Sequence, residues 1–161
     1  MKQYAPGYNP KAIGEKSEGM ILSALLRAGK VVLQPFGDNQ RYDLVVDEGE
    51  GRFVRIQCKT ARLKKDGSVL EFETFSSSGS GSLNKRGYKG QIEMFAVYSP
   101  ELDKIYMIPV EELGETGASL RIKPTANGQK KGSRFASQFE FPFLRSSVEE
   151  RPAVRNGSLV E

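Results

Sequence analysis

The chain of 161 residues contains no histidine and a single cysteine, Cys58. One cysteine cannot form an internal disulfide, and the absence of histidine excludes most zinc sites. It also removes the commonest general base and the usual serine and cysteine triads. Any catalysis must therefore use carboxylates, lysine, tyrosine or a metal bound through hard oxygen ligands, such as Mg²⁺.

Long hydrophobic runs are also missing. No apolar stretch approaches the roughly 20 residues that a helix needs to span a bilayer. The amino-terminal segment MKQYAPGYNPK lacks the apolar stretch of a secretory signal. Hydrophobic content of 38% and charged content of 27% are typical of a globular protein with a real core. We therefore expect one cytoplasmic domain.

Basic residues exceed acidic ones by 24 to 20, which gives a formal net charge of +4. Ordinary surface charge explains this excess as well as a polyanionic partner does. The basic residues cluster in three Gly/Ser-containing segments, however, and such loops can contact phosphates. The candidate nucleic-acid-binding residues are Arg62, Lys64, Lys65, Lys85, Arg86, Lys89, Lys130 and Lys131.

Hydrophobic periodicity predicts one helix followed by several strands. After an extended arm of eleven residues, the helix covers residues 14–28 and ends at Gly29. An acidic, glycine-containing turn at residues 47–51 predicts a hairpin. The Ser/Gly-rich segment 76–90 is expected to be a mobile loop and lacks the motif of a phosphate-binding P-loop. The predicted strands are 30–34, 42–47, 53–60, 69–75, 94–98 and 104–110.

The carboxyl-terminal third contains weaker signals. A short helical turn is expected at residues 110–114, and FASQFEFPF can add an edge strand whose pairing Pro142 limits. From residue 145 onward the composition is polar and charged, which predicts a disordered tail.

Strand alternation places three polar side chains on one face of the predicted hairpin. Asp43, Gln57 and Lys59 lie opposite the apolar residues of the same two strands. An acid, an amide oxygen and an amine beside a sheet are what metal-assisted phosphodiester cleavage needs. In this hypothesis Asp43 binds the metal directly, Gln57 offers a neutral carbonyl oxygen, and the backbone carbonyl of Cys58 completes the shell.

Two further roles in this candidate site would fall to an acid, Glu18, and to the amine of Lys59. Projected at about 100° per residue, Glu18 falls at the centre of the apolar helical stripe, where an unpartnered carboxylate is costly. It could reach Asp43, binding through water or holding a second ion. Lys59 could position or deprotonate the nucleophile, or stabilise the transition state. Alternatively Glu18 is a capping or salt-bridging residue, with Glu15 as the competing helical acid.

The motifs resemble a known nuclease superfamily. Glu18 in a Gly14-x-x-x-Glu18 helix, Asp43 in GDNQRYDLVVD and the following QCK resemble the PD-(D/E)XK superfamily. The strings GDNQRYDLVVD, RIQCKTARL and YKGQIEMFAVYSPELDKIYMIPV look more like the branch that includes group I intron-encoded homing endonucleases. The resemblance covers approximately residues 11–144. It implies that Asp43 is the metal-binding acid and Glu18 the helix acid.

The same resemblance implies that Lys59 is the catalytic lysine and Gln57 the third-position ligand. Glutamine replaces the acid that is usual in the superfamily, although this branch uses glutamine. The implied fold is α/β (an α+β mixed sheet) with a restriction-endonuclease-like core: a helix, a strand meander, additional strands and a short helix. Residues 1–144 would form the endonuclease-like domain, followed by the tail 145–161. The segment Tyr88-Lys89-Gly90 also matches and would serve DNA contact or core packing.

The implied activity is Mg²⁺-dependent cleavage of double-stranded DNA, with Mn²⁺ able to substitute, in a sequence-specific homing enzyme. Because two strands must be cut, a homodimer or homotetramer is expected. Two alternatives remain open: an endonuclease that resolves Holliday junctions, and a non-catalytic DNA-binding module of the same fold. A purely structural role would leave Glu18, Asp43 and Lys59 as a coincidence.

Overall fold

The computed structural model describes residues 9–37, 39–77, 85–124 and 133–142. The expectations for the first eight residues, for Lys130 and Lys131, and for the tail from residue 145 lie outside these ranges, as does 78–84 of the Ser/Gly-rich segment. Within the described ranges, no helix is long and apolar enough to cross a bilayer.

The helix α1 (Pro10–Arg27) begins one turn earlier than the apolar pattern predicted. The side chain of Asn9 caps it by accepting hydrogen bonds from the backbone N–H groups of Lys11 and Ala12. Pro10 suits the first helical position, where no N–H is required. The predicted end at Gly29 is confirmed: this residue has φ +76°, and its N–H bonds the carbonyl of Leu26.

Eleven strands follow α1 within the described residues, together with two short 3₁₀ turns, Val110–Glu112 and Ala136–Gln138. In chain order the strands are β1 (Val31–Leu33), β2 (Leu44–Asp47), β3 (Phe53–Thr60), β4 (Arg62–Leu63), β5 (Val69–Phe72), β6 (Ser76–Ser77), β7 (Lys85–Arg86), β8 (Met94–Ser99), β9 (Lys104–Pro109), β10 (Ala118–Arg121) and β11 (Glu140–Phe141).

Six of these strands form the main sheet, in the order β1-β2-β3-β8-β9-β11. Every neighbouring pair is antiparallel except β3 and β8, which are parallel. A second sheet has the order β10-β5-β4. The helix followed by a mixed sheet confirms the α+β, restriction-endonuclease-like prediction. The predicted hairpin between β2 and β3, the pairing of β8 with β9 and the edge strand β11 are confirmed as well.

The Ser/Gly-rich segment begins and ends in structure that the sequence did not predict. Strands β6 and β7 pair as a two-stranded ribbon, with Ser76 opposite Arg86 and Ser77 opposite Lys85. The strands β4 and β10 were also missed. Strands of two to four residues are too short to show the alternation on which sequence interpretation depends.

The main sheet separates two hydrophobic cores. The helix side contains Ile21 and Leu25 of α1 packed on Leu44, Ile56 and further residues of the sheet. The opposite core lies between the main sheet and the second sheet, and it includes Leu70, Phe95 and Leu120. Because β3 lies in the middle of this arrangement, alternate β3 side chains face α1 and the second sheet.

The buried stripe of α1 is rotated from the predicted one. Its buried residues are Ser17, Ile21, Ala24 and Leu25, whereas Leu26 is 54% exposed. Ser17 can be buried at little cost since its hydroxyl shares a hydrogen bond with the hydroxyl of Thr60 in β3. A polar residue of this kind is counted as surface in a hydrophobic projection. Glu18 therefore lies at the margin of the buried stripe and not at its centre.

Candidate active site

Asp43 lies immediately before β2 and is held against β3 by its backbone and its side chain. Its N–H donates to the carbonyl of Ile56 at 2.9 Å. Its carboxylate oxygen Oδ2 accepts the backbone N–H of Cys58 at 2.7 Å and the side-chain amide of Gln57 at 2.6 Å. The carboxyl group is thus fixed at the point where the two strands meet.

Burial raises the pKa of the Asp43 carboxyl above its ordinary value, because desolvation disfavours the charged form. The N–H of Cys58, the charge of Lys59 and the amide of Gln57 act in the opposite direction and favour ionisation. Burial is the larger effect. An additional positive charge next to Asp43 would favour its ionised form.

The amide of Gln57 is oriented differently from the sequence-based expectation. Its nitrogen Nε2, and not its oxygen, faces the carboxylate of Asp43, and it also approaches the backbone carbonyl of Cys58 at 3.3 Å. The positively polarised NH₂ group thus bridges a carboxylate oxygen and a carbonyl oxygen. Hydropathy cannot distinguish the two ends of an amide, so the sequence contained no signal for this orientation.

The donor set around this amide fits a hard divalent cation. Carboxylate, backbone carbonyl and side-chain amide oxygens are ligands of Mg²⁺ and Ca²⁺. The carboxylate of Asp43 and the carbonyl of Cys58 already converge on the amide of Gln57. A half-turn of that amide would present its oxygen in place of its nitrogen. Across the described residues, no three acidic, cysteine or histidine side chains cluster to hold a metal, so an amide or a backbone oxygen is needed.

Glu18 is half-buried at the margin of the buried stripe of α1, and its carboxyl group interacts electrostatically with that of Asp43. Burial raises the pKa of the Glu18 carboxyl, and repulsion from Asp43 raises it further. A hydrogen bond from Gln34 acts against these effects. Two carboxyl groups that repel each other in a partly desolvated place form an environment that favours cations.

Lys59 follows Gln57 on the same face of β3, on the side away from α1. Its ammonium donates to the carbonyl of Phe75 at 3.2 Å and lies 3.5 Å from the hydroxyl of Tyr88. It lines a cleft of about 850 Å³ between the start of α1, the second sheet and the base of the ribbon. Arg62 and Lys85 also line this cleft, together with the acidic Glu71 and Glu73, whereas Asp43, Gln57 and Glu18 are not among its lining residues.

The other predicted basic residues lie on exposed segments near this cleft or beyond it. Lys64 forms an ion pair with Glu71 at 3.0 Å. Lys65 and Lys89 are exposed in turns, and Arg86 is exposed on the ribbon. The ammonium of Lys85 lies 4.4 Å from the centre of the Phe75 ring.

The side chain of Cys58 points into the helix-side core, as expected from its position between candidate ligands. Burial raises the pKa of its thiol well above the ordinary value, and the carboxylates of Asp43 and Glu18 act in the same direction. The thiol is therefore protonated and inert at neutral pH. Only its backbone takes part in the site.

The sequence alone indicated no role for Arg41, and it left two roles open for Tyr88, DNA contact and core packing. The ring of Tyr88 is 4% exposed, lies in the core beneath Lys59 and carries the guanidinium of Arg41 at 4.1 Å from its centre. Lys89 and Gly90, the neighbours of Tyr88, are exposed. Alternation before β2 places Arg41 on the face of Asp43, which was the available signal.

The fold and the placement of Asp43, Gln57 and Lys59 on adjacent strands are those of a restriction-endonuclease-like core. A family model described as PD-(D/E)XK endonuclease matches residues 8–142. The chain therefore belongs to the PD-(D/E)XK endonuclease family and is an endonuclease.

One solved structure with this fold is that of a bacterial homing endonuclease, I-Ssp6803I. It matches with a TM-score of 0.65 and 23% sequence identity, over 83% of this chain and 89% of the other. The family match thus confirms the sequence-based resemblance to the superfamily, and the solved structure shows that the chain shares its fold with a homing endonuclease. Comparison with curated protein sequences gives no match.

Proposed function

We propose that this endonuclease hydrolyses double-stranded DNA with Mg²⁺ as its cofactor and cuts at specific sequences, as a homing enzyme does. The observation that carries the proposal is the convergence of Asp43, the Cys58 carbonyl and the Gln57 amide beside Lys59. Family membership supports the nuclease activity, and the cleft at Lys59 supports a polyanionic substrate.

The proposed metal ligands are Asp43, Gln57 and the backbone carbonyl of Cys58. A bound Mg²⁺ would supply Lewis-acid polarisation of the phosphate and a more acidic water. Asp43 contributes the negative charge that holds the ion, and Gln57 contributes a neutral oxygen after its amide turns. Glu18 adds negative potential from the helix side, through water or at a second ion.

Lys59 is the proposed catalytic lysine. Its ammonium is held by one carbonyl and one phenol, and it points into the cleft where the scissile phosphate would lie. A positive charge at this place stabilises the additional negative charge that develops on phosphorus in the transition state. The ammonium also orients the attacking water by donating a hydrogen bond to it.

Gln57→Glu is expected to lower the Mg²⁺ concentration for half-maximal binding by about tenfold or more, because a charged ligand replaces a neutral one. Without metal, the variant should be less stable than the parent at neutral pH. It loses the N–H donor to Asp43 and places two carboxylates side by side. Thermal unfolding with and without Mg²⁺ measures both effects.

A control for added negative charge is Gln138→Glu, because Gln138 is exposed on a 3₁₀ turn remote from Asp43. Its oxygen accepts the N–H of Phe135, which a carboxylate can also do. The control should unfold like the parent with and without Mg²⁺. Equal responses of Gln57→Glu and of the control would remove Gln57 from the metal site.

DNA as the partner is supported by the basic residues around the cleft. The proposed phosphate contacts are Arg62 and Lys85, which line the cleft, and the exposed Lys89, together with Lys64, Lys65 and Arg86. Lys130 and Lys131 belong to the same proposal. Because both strands of a duplex must be cut, the enzyme should act as a homodimer or homotetramer.

A pool of supercoiled plasmids with random inserts tests this function. The expected result is linear product with Mg²⁺ or Mn²⁺, no product with EDTA, and shared sequences at the cut ends. A four-way junction should not compete better than a linear duplex that carries the selected sequence. Preferential cutting of the junction would instead indicate a Holliday-junction-resolving enzyme.

The second candidate is a non-catalytic DNA-binding module, and the orientation of Gln57 is the observation that favours it. With its NH₂ group toward Asp43 and the Cys58 carbonyl, the amide already satisfies both oxygens without a metal. Salt-dependent binding of DNA without cleavage in either metal would identify such a module. Each phosphate contact should contribute about 0.9 to the slope of log affinity against log salt.

A further inference from the structure

The ammonium of Lys59 is held by two residues that flank the ribbon β6–β7. Phe75, whose carbonyl accepts the ammonium at 3.2 Å, directly precedes β6. Tyr88, whose hydroxyl lies 3.5 Å from the ammonium and whose ring centre lies 5.2 Å away, follows β7 by two residues. The position of the ribbon base therefore determines where the lysine points.

One side chain, Arg41, joins both ends of the ribbon to the sheet. One guanidinium nitrogen, Nη1, donates to the hydroxyl of Ser76 in β6. The other, Nη2, donates to the carbonyls of Arg86 and Gly87, at 3.1 Å and 2.7 Å. Nε donates to the side-chain oxygen of Gln91 at 2.6 Å. The planar fork of a guanidinium can satisfy four acceptors in these directions at once, which an ammonium cannot.

The same guanidinium packs over the ring of Tyr88, with its central carbon 4.1 Å from the ring centre. Tyr88 in turn meets Phe95 of β8 edge to face, at 5.4 Å between centres and 84° between planes. Arg41 and Phe95 thus fix the ring that lies beside Lys59. Because Arg41 precedes Asp43 by only two residues, the strand that carries the acid also anchors the partners of the lysine.

We propose that Arg41 is a positioning residue that keeps the ribbon base and Tyr88 in place, so that Lys59 points into the cleft. The inference rests on the proposed function, in which Lys59 acts on the scissile phosphate. The exposed Lys85 and Arg86 lie on the ribbon that Arg41 anchors.

The direct test observes Lys59 without any requirement for activity. In the metal-free protein, the ε-CH₂ resonances of Lys59 should be shifted by the ring of Tyr88, and Lys59→Arg assigns them. Arg41→Ala should move these resonances toward the values of a solvated lysine. Arg41→Lys keeps the charge but not the fork, so it should not restore them. If Arg41→Ala fails to fold, Arg41→Lys alone decides the result.

The kinetic test separates positioning from phosphate binding. With the selected duplex and Mg²⁺, Arg41→Ala should lower the single-turnover cleavage rate by about 10²-fold, because a misplaced catalytic group causes losses of this size. The dissociation constant for the duplex in Ca²⁺ should stay within about twofold. The matched control is Arg52→Ala, which removes an exposed arginine at the turn between β2 and β3. It should leave the Lys59 resonances and the cleavage rate unchanged.

Two results would overturn the inference. One is an unshifted Lys59 resonance in folded Arg41→Ala or Arg41→Lys, which would mean that the lysine does not depend on the arginine. The other is a loss of cleavage in Arg41→Ala that is explained entirely by weaker DNA binding, which would make Arg41 a phosphate contact. If the proposed function is wrong but the positioning role is right, the outcome is different. Lys59→Ala would then still cut DNA, and Arg41→Ala would still shift the Lys59 resonances.

Discussion

Lys59→Ala is expected to lower the rate of DNA cleavage by about 10³-fold or more while the protein remains folded. Proton transfer by a positioned side chain typically contributes about 10²–10⁴-fold, and a preorganised donor at developing charge contributes about 10²–10³-fold. Lys59 is the cation that the structure places in the cleft on the face of β3 that carries Gln57. The measurement is the single-turnover rate on a selected duplex in Mg²⁺.

The matched control for this variant is Lys104→Ala. Lys104 is a partly exposed lysine of β9 that pairs with Glu140 at 2.7 Å, and it does not line the cleft. Its removal should leave cleavage unchanged. Undiminished cleavage by Lys59→Ala would remove the lysine from the mechanism and the proposed site with it.

Asp43→Asn is expected to abolish cleavage, with a loss of about 10³-fold or more, and at the same time to stabilise the metal-free protein at neutral pH. Burial raises the pKa of Asp43, so its ionised form is less favourable in the folded chain than in the unfolded one. Asparagine removes that buried charge and also the repulsion that Glu18 experiences. Loss of function with a gain of stability is typical of a charged functional site.

The pH dependence follows from the direction of this shift. Because the folded protein binds the proton more tightly, its stability falls as pH rises from the ordinary pKa of 3.8 through the raised value. The advantage of Asp43→Asn should therefore be full at neutral pH and vanish below pH 3.8. Chemical denaturation of both proteins across this range measures it. An advantage that stays constant with pH would show that burial of the charge is not its cause.

Mg²⁺ should reverse the order of the two free energies of unfolding, so that wild type becomes more stable than Asp43→Asn. A ligand at 100 times its dissociation constant stabilises the folded state by about 2.7 kcal/mol, provided that the unfolded chain does not bind it. Wild-type protein should gain stability in Mg²⁺, whereas Asp43→Asn should gain little. An equal response of the two proteins would place the ion elsewhere.

The strands that carry the site could be predicted because they are long and clearly patterned. In β3, apolar Ile56 and Cys58 alternate with Gln57 and Lys59, and this period of two placed the polar pair on one face. The turn before Phe53 contains glycines and acids, which identified the hairpin with Asp43 at its other end. These local patterns do not depend on tertiary contacts.

What could not be predicted depends on contacts between distant segments. Ser17 belongs to the buried stripe, where the hydroxyl of Thr60 satisfies its own hydroxyl, and Glu18 consequently lies at the margin of that stripe. The orientation of the Gln57 amide follows from two acceptors, one of them a backbone carbonyl. Arg41 donates hydrogen bonds to four acceptors that lie 35 to 50 residues away along the chain. No periodicity in the sequence indicates such contacts.

We propose that the face formed by Asp43 and Lys59 cuts DNA only when a divalent metal is bound. The most direct measurement is cleavage of one selected duplex across a Mg²⁺ titration by wild type, Asp43→Asn and Lys59→Ala under identical conditions. We predict that wild type cuts with saturable Mg²⁺ dependence, that EDTA stops it, and that neither variant cuts at any concentration. Cleavage by wild type in EDTA, or by Asp43→Asn in Mg²⁺, would contradict the claim.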